Sequence, residues 1–306
     1  MMNYEQKLPQ VCVLMSTYNG SAFLKQQIES ILDQAEVNIK LIIRDDGSTD
    51  ETINLLEQYI DDDRIIINFG ENIGAAKSFY NLLQTENDAE YYAFSDQDDF
   101  WKKDKLINAI KALGSDNSNE PKIYASSLSV TDQNLNLISY KPINTKRNDF
   151  ARILYPGIAG CTIVFNRLFK KMVQRQNIGL LNIIYHDTFV ISLAVLSKTF
   201  IYYDANSYIM YRQHTNNYLG YSKKISRKVK LGVRYIKEES IKKQLEFIVD
   251  NYSQHINHEF QPLIKSVINY ETQMSSKLWL IFNLKIVFGD LKLRLLFIIK
   301  VILHRL

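Results

Sequence analysis

The chain has 306 residues, with 37 Lys and Arg against 33 Asp and Glu and a formal net charge of +4 at pH 7. A hydrophobic fraction of 46% argues against a disordered chain, and the length allows one large α/β domain or a smaller domain with an appendage. The charge is uneven, because residues 222–306 carry 16 Lys and Arg against 7 Asp and Glu. An acidic body followed by a basic tail indicates a protein of two parts.

The first hundred residues alternate short apolar runs with amphipathic stretches. Strands are predicted at 11–15, 40–44, 64–69 and 91–95. Helices are predicted after each of them, at about 21–34, 49–59, 74–84 and 103–113. Strands that alternate with helices at this spacing predict a parallel sheet with right-handed crossovers.

The second half continues the same domain. Further strands are predicted around 123–130, 157–165, 200–203 and 207–211, and further helices at 167–176 and 185–196. The predicted fold class is therefore α/β, a mostly parallel sheet with helices on both faces. The two cysteines, Cys12 and Cys161, lie in apolar segments, and no signal peptide is recognised in the polar residues 1–10, so we expect a cytoplasmic protein.

Polar clusters follow three of the predicted strands. They are Ser16–Gly20, Asp45–Ser48 and Ser95–Asp99. Because ligands of such sheets bind beyond the carboxyl ends of the strands, the three clusters predict one shared site. The sequence has neither the GxGxxG pattern of dinucleotide-binding domains nor the GxxxxGK[ST] pattern of P-loop NTPases.

Two pairs of carboxylates in these clusters point to a nucleotide-sugar. Asp96 and Asp98 stand two residues apart just after a strand, and paired carboxylates suit Mg²⁺ or Mn²⁺ on a diphosphate. The alternative for this pair is a capping turn before the next helix. Asp45 and Asp46 offer acceptors for a pyrimidine N–H and ribose hydroxyls. The alternative for residues 46–50 is a turn and helix cap. In these clusters the expected donor-binding residues are Thr17, Tyr18, Asn19, Asp45, Asp46, Asp96 and Gln97.

Four motifs in order carry a family resemblance. They are LMSTYNG at 14–20, RDDGSTD at 44–50, NIG at 72–74 and FSDQDDFW at 94–101. Together they resemble family 2 glycosyltransferases with the GT-A (nucleotide-diphospho-sugar transferase) fold. The DQDDFW version resembles the rhamnosyltransferase branch of bacterial cell-wall and capsular polysaccharide synthesis. The resemblance covers residues 10–220.

The resemblance implies an inverting mechanism with an Asp as catalytic base. Asp187, in Tyr185-His186-Asp187, matches that position; its alternative role is an acid that complements a helix dipole. The segment from Tyr211 resembles the family's Tyr-Arg-x-His motif, which implies Arg212 as a phosphate contact and His214 as a metal ligand with Asp96 and Asp98.

The resemblance implies transfer of a sugar, most specifically L-rhamnose from dTDP-L-rhamnose, to a glycan or lipid-linked saccharide in bacterial surface polysaccharide synthesis. The same fold with a UDP-hexose donor stays open. A sugar nucleotidyltransferase is disfavoured because residues 16–21 lack the Lys or Arg that would hold a triphosphate. A non-catalytic assembly partner is disfavoured by the intact Asp96, Asp98 and Asp187.

The expected domains are residues 1–221, with a donor half at about 10–115 and an acceptor half at about 120–221, and a helical, basic tail at 222–306. One arc of the tail is apolar. It comprises Leu284, Val287, Phe288, Leu291, Leu295, Ile298, Ile302 and Leu306. This pattern favours a peripheral helix at the inner face of the cell membrane, and a subdomain or homodimer contact is the open alternative. Nucleic-acid binding is not expected, because stacking aromatics do not alternate with the charges.

Overall fold

The structure is a computed structural model that describes residues 7–85, 87–114, 119–174, 185–214 and 241–306. Its strands are β1 (Gln10–Thr17), β2 (Asn38–Asp45), β3 (Ile65–Phe69), β4 (Tyr91–Ser95), β5 (Phe100–Trp101), β6 (Lys122–Thr131), β7 (Leu137–Lys141), β8 (Val164–Asn166) and β9 (Phe200–Arg212). Its α-helices are α1 (Leu24–Leu32), α2 (Thr52–Glu57), α3 (Ala75–Gln84), α4 (Lys105–Leu113), α5 (Asp149–Leu154), α6 (Arg167–Val173), α7 (His186–Leu196), α8 (Ile241–Tyr252), α9 (Gln261–Asn269), α10 (Met274–Phe282) and α11 (Leu291–Ile302).

The strands form one sheet in the order β3-β2-β1-β4-β8-β6-β9-β5, with β7 paired to β6. The first four strands along the chain are parallel, with β1 between β2 and β4. The apolar residues Val11–Met15 of β1 are completely buried, as expected for a strand covered on both faces. The predicted parallel sheet with crossover helices is therefore confirmed for this half.

The other half of the sheet is mixed. β8 runs antiparallel to both β4 and β6, whereas β9 runs parallel to β6. The strand predicted at 157–165 is a short 3₁₀ turn at Gly160–Thr162 followed by β8. The two short strands predicted at 200–203 and 207–211 are one strand, β9, and its pairing with β6 shifts register around Ser127. Such irregularities let a long strand bend without ending.

The chain forms two compact units. The first comprises Met1–Ile143, Ala159–Asn177 and Phe200–His214, and the second comprises Asn144–Ile158, Ile178–Thr199 and Thr215–Leu306. This division differs from the boundary expected at residue 221, because α5 and α7 pack with the C-terminal helices. Phe189 of α7, for example, contacts the rings of Phe247 and Tyr252 in α8.

The C-terminal region is a helical subdomain within the second unit, and residues 215–240 lie outside the described part. The apolar arc expected along 284–306 is interrupted, because α11 begins only at Leu291, where the side chain of Asp290 accepts a hydrogen bond from Lys292 N. Phe288 and Leu306 of that arc are buried. Across the described ranges, none of the helices combines the length and the apolar character needed to cross a membrane.

Candidate active site

Three polar loops meet at the carboxyl edge of the parallel strands in the first unit. The register pairs Thr17 of β1 with Asp45 of β2, and Met15 of β1 with Ser95 of β4. The loops after β1, β2 and β4 therefore start side by side. The prediction that the three clusters share one edge of the sheet is confirmed.

Gln97 joins the loop after β4 to the loop after β1. Its Oε1 accepts hydrogen bonds from Thr17 Oγ1 at 2.6 Å and from Tyr18 N at 2.8 Å, and its Nε2 donates to Tyr18 O at 3.1 Å. A Cβ at Gly20 would lie 2.2 Å from Gln97 Oε1, so this position has no room for a side chain. Gln97 and Thr17 thus fix the rim of the site, while the ring of Tyr18 stays exposed.

Asp45 and Asn19 shape the second loop. The Asp45 carboxylate accepts from Ser48 N at 2.9 Å and from Ser48 Oγ at 2.5 Å. Asn19 has a positive φ of 49°. Its Oδ1 accepts a hydrogen bond from Thr49 N at 2.8 Å, and its backbone N donates to Ser48 Oγ at 2.9 Å. The Asp45 side chain therefore closes a turn at Ser48, and α2 begins after this turn, at Thr52, without a side-chain cap.

Asp46 is also bound internally. Its carboxylate accepts from Ile73 N at 3.0 Å and from Gly74 N at 2.8 Å, and it forms a buried ion pair with Arg44. Gly74 has a φ of +84°, which glycine adopts without strain. The motif at 72–74 is thus a loop that closes on Asp46. Both Asp45 and Asp46 are buried, so their main contacts are to protein atoms.

The loop after β4 brings a carboxylate against an imidazole. Asp98 Oδ2 lies 2.7 Å from His214 Nε2, and both side chains are partly exposed. The ring of Phe23 packs on His214 with 4.8 Å between centroids. The structure therefore brings together two of the three expected metal ligands, Asp98 and His214, although they are 116 positions apart in the chain.

Arg212 is buried among protein atoms. Its side chain is 2% exposed, and Nε donates to Asp98 O at 2.8 Å. Nη2 donates to Gln26 Oε1 at 2.5 Å and Nη1 to Gln133 O, while the guanidinium carbon lies 4.5 Å from the Phe23 ring centroid. These contacts are all to protein atoms, and the expected phosphate contact of Arg212 stays a prediction. Sequence analysis missed Phe23 and Gln26, whose i, i+3 spacing at the start of α1 was the available signal.

The partly exposed Asp96 approaches two fully buried side chains, Asp99 and Cys161. Possible ligand atoms of Asp96, Asp99 and Cys161 lie within 4.8 Å of one another. Burial, together with the nearby Asp98 and Asp96, raises the pKa of Asp99 well above its ordinary value, and burial raises the pKa of the Cys161 thiol. Burial opposes the charged forms of Asp99 and Cys161, and a cation ligand must be deprotonated.

Lys105 extends this buried cluster. Its Nζ lies 3.5 Å from the Trp101 ring centroid and has no hydrogen-bond partner among the described residues. Burial lowers the pKa of Lys105 to about 7. Sequence analysis assigned no role to Lys105, because a Lys in a predicted helix is usually exposed to solvent.

Asp187 belongs to the second unit. It lies in the first turn of α7, and its Oδ1 accepts from Thr188 N at 2.6 Å. The preceding His186 is partly buried, and the loss of water around its ring lowers its pKa, whereas the neighbouring Asp187 opposes that shift. Asp187 itself is only partly buried, so its carboxylate is accessible from solvent.

Comparison with known proteins gives the family. The model of the family described as Glycosyl transferase family 2 matches residues 12–173, which is more than half of the chain. The dTDP-rhamnosyl transferase RfbG of Shigella flexneri is 34% identical over 224 residues, or 67% of this chain and 73% of that protein. A putative teichuronic acid biosynthesis glycosyltransferase of Bacillus subtilis, TuaG, is 37% identical over 107 residues, but the match covers only 34% of this chain and 42% of that protein.

Solved structures support the fold. S. aureus TarS 1-349 in complex with UDP superimposes with a TM-score of 0.56 at 16% identity, over 95% of this chain and 88% of that chain. Mannosyltransferase PcManGT from Pyrobaculum calidifontis in complex with GDP-Man and Mn²⁺ gives a TM-score of 0.56 at 14% identity, over 90% and 75% of the two chains. These neighbours are GT-A glycosyltransferases, and the chain shares their α/β fold.

The matched family and the adjoining strand ends agree on one class of enzyme. The four motifs between residues 14 and 101 all fall inside the matched range, and Thr17, Gln97 and Asp46 of these motifs make the loop contacts described above. The chain belongs to glycosyltransferase family 2, near the rhamnosyltransferase branch.

Proposed function

We propose that the protein is an inverting, metal-dependent glycosyltransferase that moves L-rhamnose from dTDP-L-rhamnose. The acceptor is a glycan or lipid-linked saccharide at the inner face of the cell membrane, and the product is bacterial surface polysaccharide. The contact between Asp98 and His214 beside three adjoining loops carries the proposal for the site. The similarity to the dTDP-rhamnosyl transferase RfbG supports rhamnose as the transferred sugar.

Asp96, Asp98 and His214 are the proposed ligands of Mg²⁺ or Mn²⁺. Carboxylate oxygens are the ligands that these cations prefer, and an imidazole also suits Mn²⁺. Asp98 and His214 are partly exposed, whereas Asp99 and Cys161 are fully buried, so an incoming diphosphate reaches the first pair more readily. When bound, the cation supplies positive charge that stabilises the leaving diphosphate.

The nucleotide is proposed to bind along the loops after β1 and β2. Asp45 and Asp46 are buried, and through their internal hydrogen bonds they hold these loops in the shape that is proposed to receive the nucleotide. Thr17 and Gln97 keep the adjacent backbone in place, which leaves the exposed Tyr18 ring and the side chain of Asn19 at the surface. In this arrangement specificity for the base comes from loop shape as much as from direct contacts.

Asp187 is the proposed base. An inverting transfer needs a carboxylate that takes the proton from the acceptor hydroxyl as its oxygen attacks the anomeric carbon. Asp187 is a partly exposed carboxylate in a first helical turn, and the hydrogen bond from Thr188 N to Oδ1 fixes its direction. Its second oxygen is then the one that receives the proton.

A donor screen tests the proposal. The purified chain is incubated with Mn²⁺ or Mg²⁺ and with dTDP-L-rhamnose, UDP-Glc, UDP-Gal or GDP-Man, and binding is followed by thermal shift and hydrolysis by release of the nucleoside diphosphate. We expect dTDP-L-rhamnose to give the largest shift and the fastest release, both abolished by EDTA. If UDP were released from a UDP-hexose while dTDP-L-rhamnose stayed intact, that hexose and not rhamnose would be the transferred sugar. Full activity in EDTA would show that the reaction does not depend on a metal ion.

A further inference from the structure

The C-terminal helices of the second unit expose an unusual amount of apolar surface. Ten large apolar side chains between residues 274 and 303 are exposed: Met274, Leu278, Phe282, Leu284, Val287, Leu291, Leu295, Ile299, Ile302 and Leu303. Three of them, Leu284, Leu291 and Phe282, are 89%, 75% and 71% exposed. Single exposed apolar residues are ordinary, but a dense group of this kind marks a surface that binds something.

The exposed side chains form a stripe on each helix. On α10 they stand four residues apart, from Met274 to Phe282, and on α11 they repeat at the same spacing from Leu291. Residues four apart lie on one face of a helix. The opposite faces are buried, with Leu280 on α10 and Phe297 on α11 completely inaccessible. Each helix therefore packs inward through one face and presents an apolar stripe outward.

The two helices are held side by side and antiparallel. Lys277 Nζ in α10 donates to Ile302 O near the end of α11 at 3.2 Å. Arg294 Nη2 near the start of α11 donates to Ile281 O near the end of α10 at 2.7 Å. The stripes consequently belong to neighbouring parts of one helical hairpin.

The loop between the helices is fixed by contacts to residues 144–148 of the same unit. Asn148 N donates to Val287 O at 3.1 Å, Val287 N donates to Asn148 Oδ1 at 3.2 Å, and Asn148 Nδ2 donates to Lys285 O at 2.5 Å. Asn148 thus pairs with the loop through both backbone and side chain. Leu284 and Val287 are therefore exposed on a loop whose backbone is fixed by hydrogen bonds.

Positive charges accompany this apolar surface. Residues 274–306 contain six Lys and Arg, of which Lys285, Lys292 and Arg305 are exposed and Lys300 is buried, and Asp290 is their one acidic residue. Lys285 and Lys292 are exposed near the loop, and the backbone and Cβ of Lys146 pack on Gly289. Apolar side chains with adjacent cations match a bilayer surface, where acyl chains take up the former and anionic headgroups attract the latter.

We propose that the stripes of α10 and α11, with the loop 283–290, form a face that inserts into the surface of a membrane containing anionic phospholipid. This rests on the membrane location in the proposed function and on nothing about the donor. A second copy of the chain fits less well, because a symmetric dimer through this face would bring the cations Lys285 and Lys292 of both copies into one interface. The face would hold the enzyme next to a lipid-linked acceptor.

Vesicle sedimentation with the full chain tests the face. Vesicles of phosphatidylcholine with one third phosphatidylglycerol are compared with pure phosphatidylcholine at low and high salt. We expect binding to the anionic vesicles, weakened by salt, and at least a tenfold loss of affinity for Phe282→Ser/Leu284→Ser. Lys285→Glu/Lys292→Glu should lose affinity for anionic vesicles by about tenfold and little for neutral ones.

Ile60→Ser/Leu137→Ser is the matched control, because both residues are comparably exposed but lie in the first unit. It should bind vesicles as the unaltered chain does, and all variants should keep the same circular dichroism and unfolding midpoint. Absent binding by the unaltered chain, or equal binding by the Phe282/Leu284 variant, would overturn the proposal. A dimer in solution that this variant dissociates, without vesicle binding, would assign the face to a second copy instead. Donor hydrolysis in detergent-free buffer should be the same in the Phe282/Leu284 variant as in the unaltered chain. Because this assay does not involve vesicles, it detects an error in the donor assignment separately from an error in the membrane proposal.

Discussion

Replacing Arg212 with methionine removes the cationic group that joins several parts of the site. The guanidinium donates to Asp98 O, Gln133 O and Gln26 Oε1, and it stacks on Phe23, which in turn contacts the ring of His214. Methionine retains much of the apolar length and loses every donor. The substitution therefore tests whether Arg212 positions the metal ligands or binds phosphate.

The size of the effect follows from the buried contacts. A hydrogen bond from a charged donor contributes about 1.5–3 kcal/mol, and a buried carbonyl that loses its donor costs about 1–3 kcal/mol. Because the contacts of Arg212 share one network, they do not add, and we expect the free energy of unfolding to fall by about 3–5 kcal/mol. The displaced Asp98 should lower the affinity for Mn²⁺ by about 10–100-fold, as is usual when a residue that supports a metal ligand is removed.

Urea unfolding measures the stability, and calorimetry with Mn²⁺ alone measures the affinity for the metal. Arg64→Met is the matched control, since Arg64 forms an exposed ion pair with Asp62 and should change the stability by less than about 1 kcal/mol. If Arg212→Met kept both stability and Mn²⁺ affinity but raised the KM for the donor, Arg212 would be a phosphate contact after all, and the positioning role would be refuted.

Three further substitutions test separate parts of the site. Asp187→Asn should lower kcat by about 10²–10⁴-fold with unchanged Mn²⁺ and donor affinity, and wild-type turnover would end its assignment as the base. Lys105 loses its proton near pH 7 when folded but near 10.5 when unfolded, so stability should rise with pH between these values, by at most about 5 kcal/mol. Lys105→Met should flatten that rise in urea unfolding at pH 7.5 and 9.5, and equal slopes in both proteins would contradict the buried position. Gly20→Ala should raise the donor KM about tenfold by displacing Gln97, whose Oε1 would lie 2.2 Å from the new Cβ. The donor KM of the double variant Gly20→Ala/Gln97→Ala should be no higher than that of Gln97→Ala alone. Additive increases in KM would argue against this contact.

The location of the site was predictable because the relevant signals are local. Apolar runs such as Val11–Met15 mark the strands, and polar clusters directly after them mark the strand ends. Once the strands are parallel neighbours, Thr17, Asp45 and Asp96 must lie at the same edge. No knowledge of side-chain contacts is needed for that conclusion.

The roles of several side chains were not predictable. Asp46 and Arg212 are charged residues in motifs typical of ligand binding, yet the structure buries both in internal contacts. A sequence gives the chemical type of a side chain but not the direction in which the backbone points it. Lys105 shows the same limit, since its burial against Trp101 depends on how α4 packs.

By itself, the sequence determined the α/β class, the strand positions, the family and the edge of the sheet that holds the site, because each follows from periodicity or from contiguous motifs. Only the tertiary structure decided that Arg212 meets Gln26 across 186 positions, and that α7 with Asp187 belongs to the helical second unit. It also divided the C-terminal apolar arc into buried residues such as Phe288 and two exposed stripes. The physical reason is the same in each case: burial and pairing depend on elements that are distant in the chain, and these contacts are fixed only when the chain folds.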